Sequence, residues 1–330
     1  VNYWSLGCKI QSPISLRLAP SIASIPAASI SILPDAQFHH LLHRVAKERH
    51  IAHHNAQQRT QVTLLSFDEH TCGVEFKRGT DCVRFAHSLG TQRITYAHTT
   101  PLPNIDLAAI IEGPVIGWYL RLQHRPLLHA AALRWGEQIL AISAEPGTGK
   151  STLAALLCAH GGEHWSDDIV VYDPIHATAI ADARPRRLSR EARNLDGQAS
   201  AEASSMDTEI FTDSPKVFTT PVPELTDALQ TPQPLGHVLI LGPRIASDTP
   251  TFERLDAARA TIALTHGRYP SWLRTPAADR EAFLNAAALA EKVPVTLAHM
   301  PQGLGALQRA TPTLLAWCET QLGALTNHPV

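Results

Sequence analysis

An α/β fold, α+β overall and carrying a small N-terminal α+β lobe, is the architecture predicted for this chain of 330 residues. Three observations predict it. An apolar strand at 138–143 runs into a loop with glycines at 147 and 149, and a helix-forming run follows at once. Strand and helix signals then continue towards the C-terminus, with buried-strand runs at 169–172 and 236–242. Before residue 105, short strand-like runs dominate. Pro101 and Pro103 mark the break, dividing the chain into a lobe at 1–105 and a larger domain at 106–330.

Residues 1–34 contain no acidic residue, and Arg17 and the prolines interrupt their apolar pattern, so they read as an edge strand plus a loose leader rather than a secretory signal. Asp35 is a predicted N-cap for a helix from 36 to about 50, with Phe38, Leu41, Leu42 and Val45 on one face. Strands are predicted at 62–67, 73–77 and 93–96, and a helix at 113–122. A strand at 127–133, a turn at Trp135-Gly136-Glu137 and the strand at 138–143 form a hairpin. The helix at 151–160 is apolar on nearly every side and stops at Gly161-Gly162; short strands at 163–166 and 169–172 follow. Residues 184–232 are polar, with a basic cluster (Arg184, Arg186, Arg187, Arg190, Arg193), and read as strand fragments in long loops. Thr275 with Pro276 opens a helix to about 292; a strand at 293–297 and a helix at 312–325 complete the chain.

A net charge of −2 argues against a general nucleic-acid or membrane-surface binder, and no apolar run of 18 residues exists. Five cysteines, without CxxC spacing, point to a reducing, cytoplasmic setting; a Cys72–Cys82 bridge is the disfavoured alternative. The histidine pairs His39/His43 and His50/His54 have the i, i+4 spacing of a helical metal site but lack a third ligand, so a polar helix face is the preferred reading.

Ala144 to Ser151 fits the Walker A pattern, with Ala at the first glycine position. In that pattern the loop of Glu145, Pro146, Gly147, Thr148 and Gly149 wraps the phosphates and cradles them with its backbone N–H groups, Pro146 having none to give, aided by the start of a helix at Lys150, Ser151 and Thr152. Lys150 reaches the β- and γ-phosphates, and the Ser151 hydroxyl ligates Mg²⁺. One helix later stand Asp167 and Asp168, which can divide the work of metal ligand and general base.

Leu128-His129-Ala130-Ala131-Ala132, the loop Glu145 to Leu153 and Ser166-Asp167-Asp168 together resemble the catalytic core of the HPr serine kinase/phosphorylase family; a looser likeness covers 105–325. The resemblance implies a phosphoenolpyruvate-carboxykinase-like kinase core and ATP- and Mg²⁺-dependent phosphorylation of a serine on a peptide or protein. It makes Asp167 the base and Asp168, with Ser151, a metal ligand; it sets His129 beside the phosphates, and it offers Lys216 as a further basic residue. The family's glycine-rich segment after the Asp pair has no counterpart, and the Ser- and Ala-rich stretch 198–206 stands in its place. The chain is therefore more similar to the HPr-kinase-related proteins that act on ribosomally made peptides such as lasso peptide precursors. A nucleotide-sensing module and a small-molecule kinase are the alternatives. The expected partner is a peptide or protein carrying the acceptor serine, with neither nucleic acid nor membrane; a homo-oligomer stays open.

Overall fold

The computed structural model describes residues 2–16, 18–20, 28–35, 38–55, 60–99, 104–145, 147–182, 187–189, 216–218 and 231–323. Two large mixed sheets with helices packed on them make an α/β protein. No helix among the described residues is long and apolar enough to cross a membrane.

The first sheet holds β1 (Asn2–Ser5), β2 (Cys8–Gln11), β3 (Ala19–Pro20), β4 (Ala28–Pro34), β5 (Glu48–Asn55), β6 (Thr60–Ser66), β7 (Thr71–Arg78), β8 (Asp81–Ser88) and β9 (Arg93–His98), in the order β3-β1-β2-β4-β9-β8-β7-β6-β5. The described stretches Asn2–Ser5, Cys8–Gln11, Ala19–Pro20 and Ala28–Pro34 are thus four strands of the sheet, where one edge strand was expected. Its first hairpin turns through Leu6 and Gly7, both at positive φ (53° and 75°), the twist-matched two-residue turn that a Leu at the first position disguises. The helix expected at 36–50 is only α1 (Phe38–His43), because His50 and its neighbours pair with β6 as β5. His50 and His54 therefore lie on a strand, and their helical spacing has no structural meaning. Strand β8, unread in the sequence, pairs with β7 across Gly79-Thr80 and with β9. Cys72 faces His87 and Cys82 faces Lys77 in that ladder, so the two thiols are not neighbours. Burial pushes Cys8, Cys72 and Cys82 up to about 11 and Cys318 to about 12, which keeps them as inert thiols.

Both faces of this sheet are covered. Val74, Phe76, Val83 and Phe85 point into one core with α2 (Asn104–Ile110) and α3 (Ile116–Leu122). Glu75 and Arg84 point the other way, under α1. Helices α2 and α3 are joined by a π turn, Ile111–Val115, that contains Pro114. Proline has no N–H and crowds the carbonyl four residues back, and one wide turn accommodates it without ending the helix. This is why the helical segment begins earlier than the sequence suggests.

The second sheet holds β10 (Leu127–Leu128), β11 (Ala130–Trp135), β12 (Gln138–Ala144), β13 (Glu163–Ser166), β14 (Val170–Asp173), β15 (Thr178–Ile180), β18 (Gln233–Leu241), β19 (Thr251–Arg254) and β20 (Val295–His299). A separate pair, β16 (Arg187–Ser189) and β17 (Lys216–Phe218), is what is described of the loop region; the rest of the arginine cluster and 198–206 lie outside the described residues. At the centre β12, β18 and β20 run parallel. Ile139 and Ala141 of β12 face α5 (Ala257–His266) and α6 (Pro276–Ala290), whereas Leu140 and Ile142 face α4 (Lys150–Cys158) and α8 (Thr311–Leu322). This two-sided burial is why the strands read as continuous apolar runs. Thr275 caps α6 as expected, its Oγ1 accepting from Ala278 N at 3.2 Å. The last helical stretch is broken into α7 (Leu304–Arg309) and α8.

His237, fully buried on β18, shares a 2.8 Å hydrogen bond between Nε2 and Thr296 and abuts the Trp317 ring. Burial, then the charge of Arg254, pulls its pKa down from 6.5 to about 4. The unfolded chain therefore takes up a proton first as pH falls, so stability declines between about 6.5 and about 4 and levels off below, by on the order of 3 kcal/mol. Denaturant titrations at pH 7, 5.5 and 4 check this: His237→Gln is expected to flatten the slope, and equal slopes in both proteins would dismiss the idea.

Candidate functional site

The site lies beyond the carboxyl ends of the parallel strands β12, β18 and β20, where open α/β sheets leave a crevice. Strand β12 ends at Ala144, and α4 starts at Lys150. Between them, Thr148 N–H donates to Glu145 O at 3.2 Å, and its hydroxyl donates to the same carbonyl at 2.6 Å. Gly147 (φ 82°) and Gly149 (φ 101°) take backbone angles that side chains disfavour. Gly149 is the N-cap of α4, and the first helical bond runs from Leu153 N to its carbonyl. Lys150 is buried and donates from Nζ to Ala144 O at 3.1 Å, which folds its ammonium back across the loop. Thr152 sits in the first turn of α4; Pro146 lies outside the described residues.

Two strand switches stand beside this loop. Pairing with β14 ends at Leu128, and pairing with β12 begins at Ala130 and with β13 at Ala132, so His129 occupies the step. In parallel, β13 ends at Ser166 and β14 begins at Val170, so Asp167 and Asp168 occupy the second step. Ser166 Oγ closes that step on Ile169 O, and Asp168 takes a left-handed φ of 71°. The side chains then pair across the steps. Ser151 Oγ donates to Asp167 Oδ1 at 2.8 Å, and His129 Nε2 lies 3.8 Å from Asp168 Oδ1. Asp167 is buried, while Asp168 and His129 stay partly open.

Backbone contacts hold His129: its N–H donates to Gly267 O at 2.6 Å, and its carbonyl accepts from Ser143 Oγ at 3.0 Å. Its ring lies 5.9 Å from that of Tyr269. His129, Glu145, Ile240, His266 and Arg268 are among the residues lining a cavity of about 370 Å³ that opens beside the loop. Arg268 is buried on Asp279 at 2.8 Å, and burial lowers its pKa.

Residues from four separate segments (His129, the 145–152 loop, Asp167-Asp168 and the 240–271 wall) thus converge. The sequence pointed to the first three. It missed Arg244, which follows β18 and reaches the loop: Nη2 and Nε donate to Thr148 O at 2.6 and 3.2 Å, and Nη1 donates to Pro301 O at 3.2 Å. The one signal for it was an arginine just past the end of a buried strand. Lys216 lies on β17. Among the described residues no three His, Cys, Asp or Glu side chains cluster as a protein-only metal cage. No protein-family model matches the chain, and none of the curated proteins matches it.

Proposed function

We propose that this protein is an ATP- and Mg²⁺-dependent kinase of the HPr-kinase-like, phosphoenolpyruvate-carboxykinase-like type that phosphorylates a serine hydroxyl on a peptide or protein. One observation carries the reading: a strand–glycine loop–helix unit has its Ser151 hydroxyl on a buried aspartate, with a second aspartate and a histidine alongside. The donors fit the metal. Ser151 Oγ and the two carboxylates are hard oxygen ligands, few in number, as a cation that keeps waters and substrate oxygens requires. The loop fits a polyphosphate: a Cβ at Gly147 would meet nothing within 4 Å, so that side of the loop is open, and α4 begins directly after the loop.

Mg²⁺, when bound, neutralises charge on the transferring phosphoryl group. The chain's own residues do the rest. Loop N–H groups and Lys150 hold the β- and γ-phosphates. The cavity beside His129 seats the acceptor. An aspartate takes the proton from the acceptor hydroxyl as its oxygen bonds to the γ-phosphorus, the bond to the β–γ bridging oxygen breaks, and ADP leaves. Resemblance assigns the base to Asp167 and the metal to Asp168. The Ser151–Asp167 bond favours the exchange, with Asp167 on the metal side and Asp168, next to the cavity-lining His129, as the base.

The test is transfer from γ-labelled ATP with Mg²⁺ to a panel of serine peptides and to HPr. Label on an acceptor, with Lys150→Ala weakening nucleotide affinity about 10- to 100-fold for the lost charge-assisted contacts, is the expected result. Nucleotide binding without transfer to any acceptor would replace this reading with a nucleotide sensor.

A further inference from the structure

Arg244 lies outside the loop motif, yet its guanidinium is spent on the loop. Two of its nitrogens grip one carbonyl, that of Thr148, and a third holds Pro301 O at the end of β20. A peptide unit is planar and trans, so its C=O and the next N–H point in opposite directions. Arg244 holds the Thr148 carbonyl outwards, and the Gly149 N–H must therefore point inwards, where a phosphate oxygen would lie. A cation on the carbonyl also polarises the unit and makes that N–H a stronger donor. The contact is close enough that a Cβ on Gly149 would overlap Arg244 Nη2, so the glycine answers to the arginine as well as to its own φ of 101°.

The charge placement points the same way. The guanidinium stands at the positive end of α4, near Lys150, where a cation is disfavoured unless an anion shares the site. Among the described residues its hydrogen bonds go to carbonyls alone, and no carboxylate offsets it. Burial lowers its pKa, the mark of a cation held away from water.

We infer that Arg244 is a positioning residue for polyphosphate binding: from the end of β18 it braces the Thr148–Gly149 peptide so that the loop presents its N–H groups to a nucleoside di- or triphosphate. This rests on the proposed nucleotide site but not on any acceptor. The test is the affinity of the full chain for Mg·ADP and Mg·ATP in wild type, Arg244→Met and Arg244→Lys, with the melting temperature of each. The expected result is affinity about 10-fold or more weaker in Arg244→Met, partial recovery in Arg244→Lys, which keeps the charge on a single donor nitrogen, and little change in melting temperature. Unchanged nucleotide affinity in both variants, with or without a lowered melting temperature, would reduce Arg244 to a folding contact and overturn the inference while leaving the nucleotide site intact. Absence of nucleotide binding in the wild type would overturn both.

Discussion

Asp168→Asn is expected to lower phosphoryl transfer by about 10²- to 10⁴-fold, the usual range for losing a general base, with excess Mg²⁺ giving no recovery. The substitution keeps shape, and asparagine tolerates the left-handed φ of 71° as aspartate does, so the fold should persist. Asp167→Asn should behave differently. Its carboxylate accepts from the Ser151 hydroxyl, and its loss should raise the Mg²⁺ concentration needed for half-maximal rate about 10- to 100-fold, as removal of a metal-orienting partner does. Saturating Mg²⁺ should then restore most of the rate. Rates measured against Mg²⁺ in the two variants decide the matter. Rescue of Asp168→Asn and not of Asp167→Asn would return the base to Asp167.

The second large effect is on stability. Glu75 and Arg84, both nearly inaccessible, form a 2.5 Å ion pair; Arg49 holds the other carboxylate oxygen at 2.7 Å. Arg84 also donates to the carbonyls of Leu41 and Arg44, which finish α1, so one guanidinium ties helix to sheet. Glu75→Gln strands the buried Arg84 charge and is expected to cost about 3–5 kcal/mol in denaturant unfolding, whereas Arg84→Met leaves Glu75 with the half-exposed Arg49 and should cost somewhat less. The double variant Glu75→Gln/Arg84→Met should cost less than the sum of the two, because no buried charge is stranded. A fully additive double variant would show that the pair is not coupled. Burial pushes the Glu75 pKa up, and the hydrogen bonds and charge of Arg84, then the charge of Arg49, more than offset this, so it ends below 4.5. Its contribution is therefore complete above about pH 4.5 and fades as pH falls through the lowered value.

Why the half bearing the glycine loop was readable and the N-terminal half less so has a physical basis. Strand β12, its loop and α4 carry local signals that agree: an apolar run, glycines where φ is positive, and a helix start. Strand β5 carries none. Its sequence, Glu48 to Asn55, is polar and rich in histidine, and only pairing with β6 makes it a strand. Strand β8 hides Glu75's partner inside a strand pattern, where Arg84 breaks the apolar rhythm because its face is buried too. In the site, the aspartates and His129 could be placed near the loop from spacing, but their pairing could not. It depends on two strand switches landing side by side, a property of the sheet and not of any local stretch. Arg244 was invisible for the same reason: it is 96 residues from the carbonyl it holds.

The core that contains Tyr3, Ile10 and Ile32 also contains Leu107, Trp118, Leu127 and Val171, and Ser5 donates to Asp182 across 177 residues. Gly117 on α3 lets Tyr269 lie against the helix, and Tyr269 in turn flanks His129. The part bearing the glycine loop is therefore not a portable cassette. A graft onto another scaffold would carry away one wall of a shared interior, and a recombinant with a foreign first sheet would need matched changes along α2 and α3 before His129 stood where it does now.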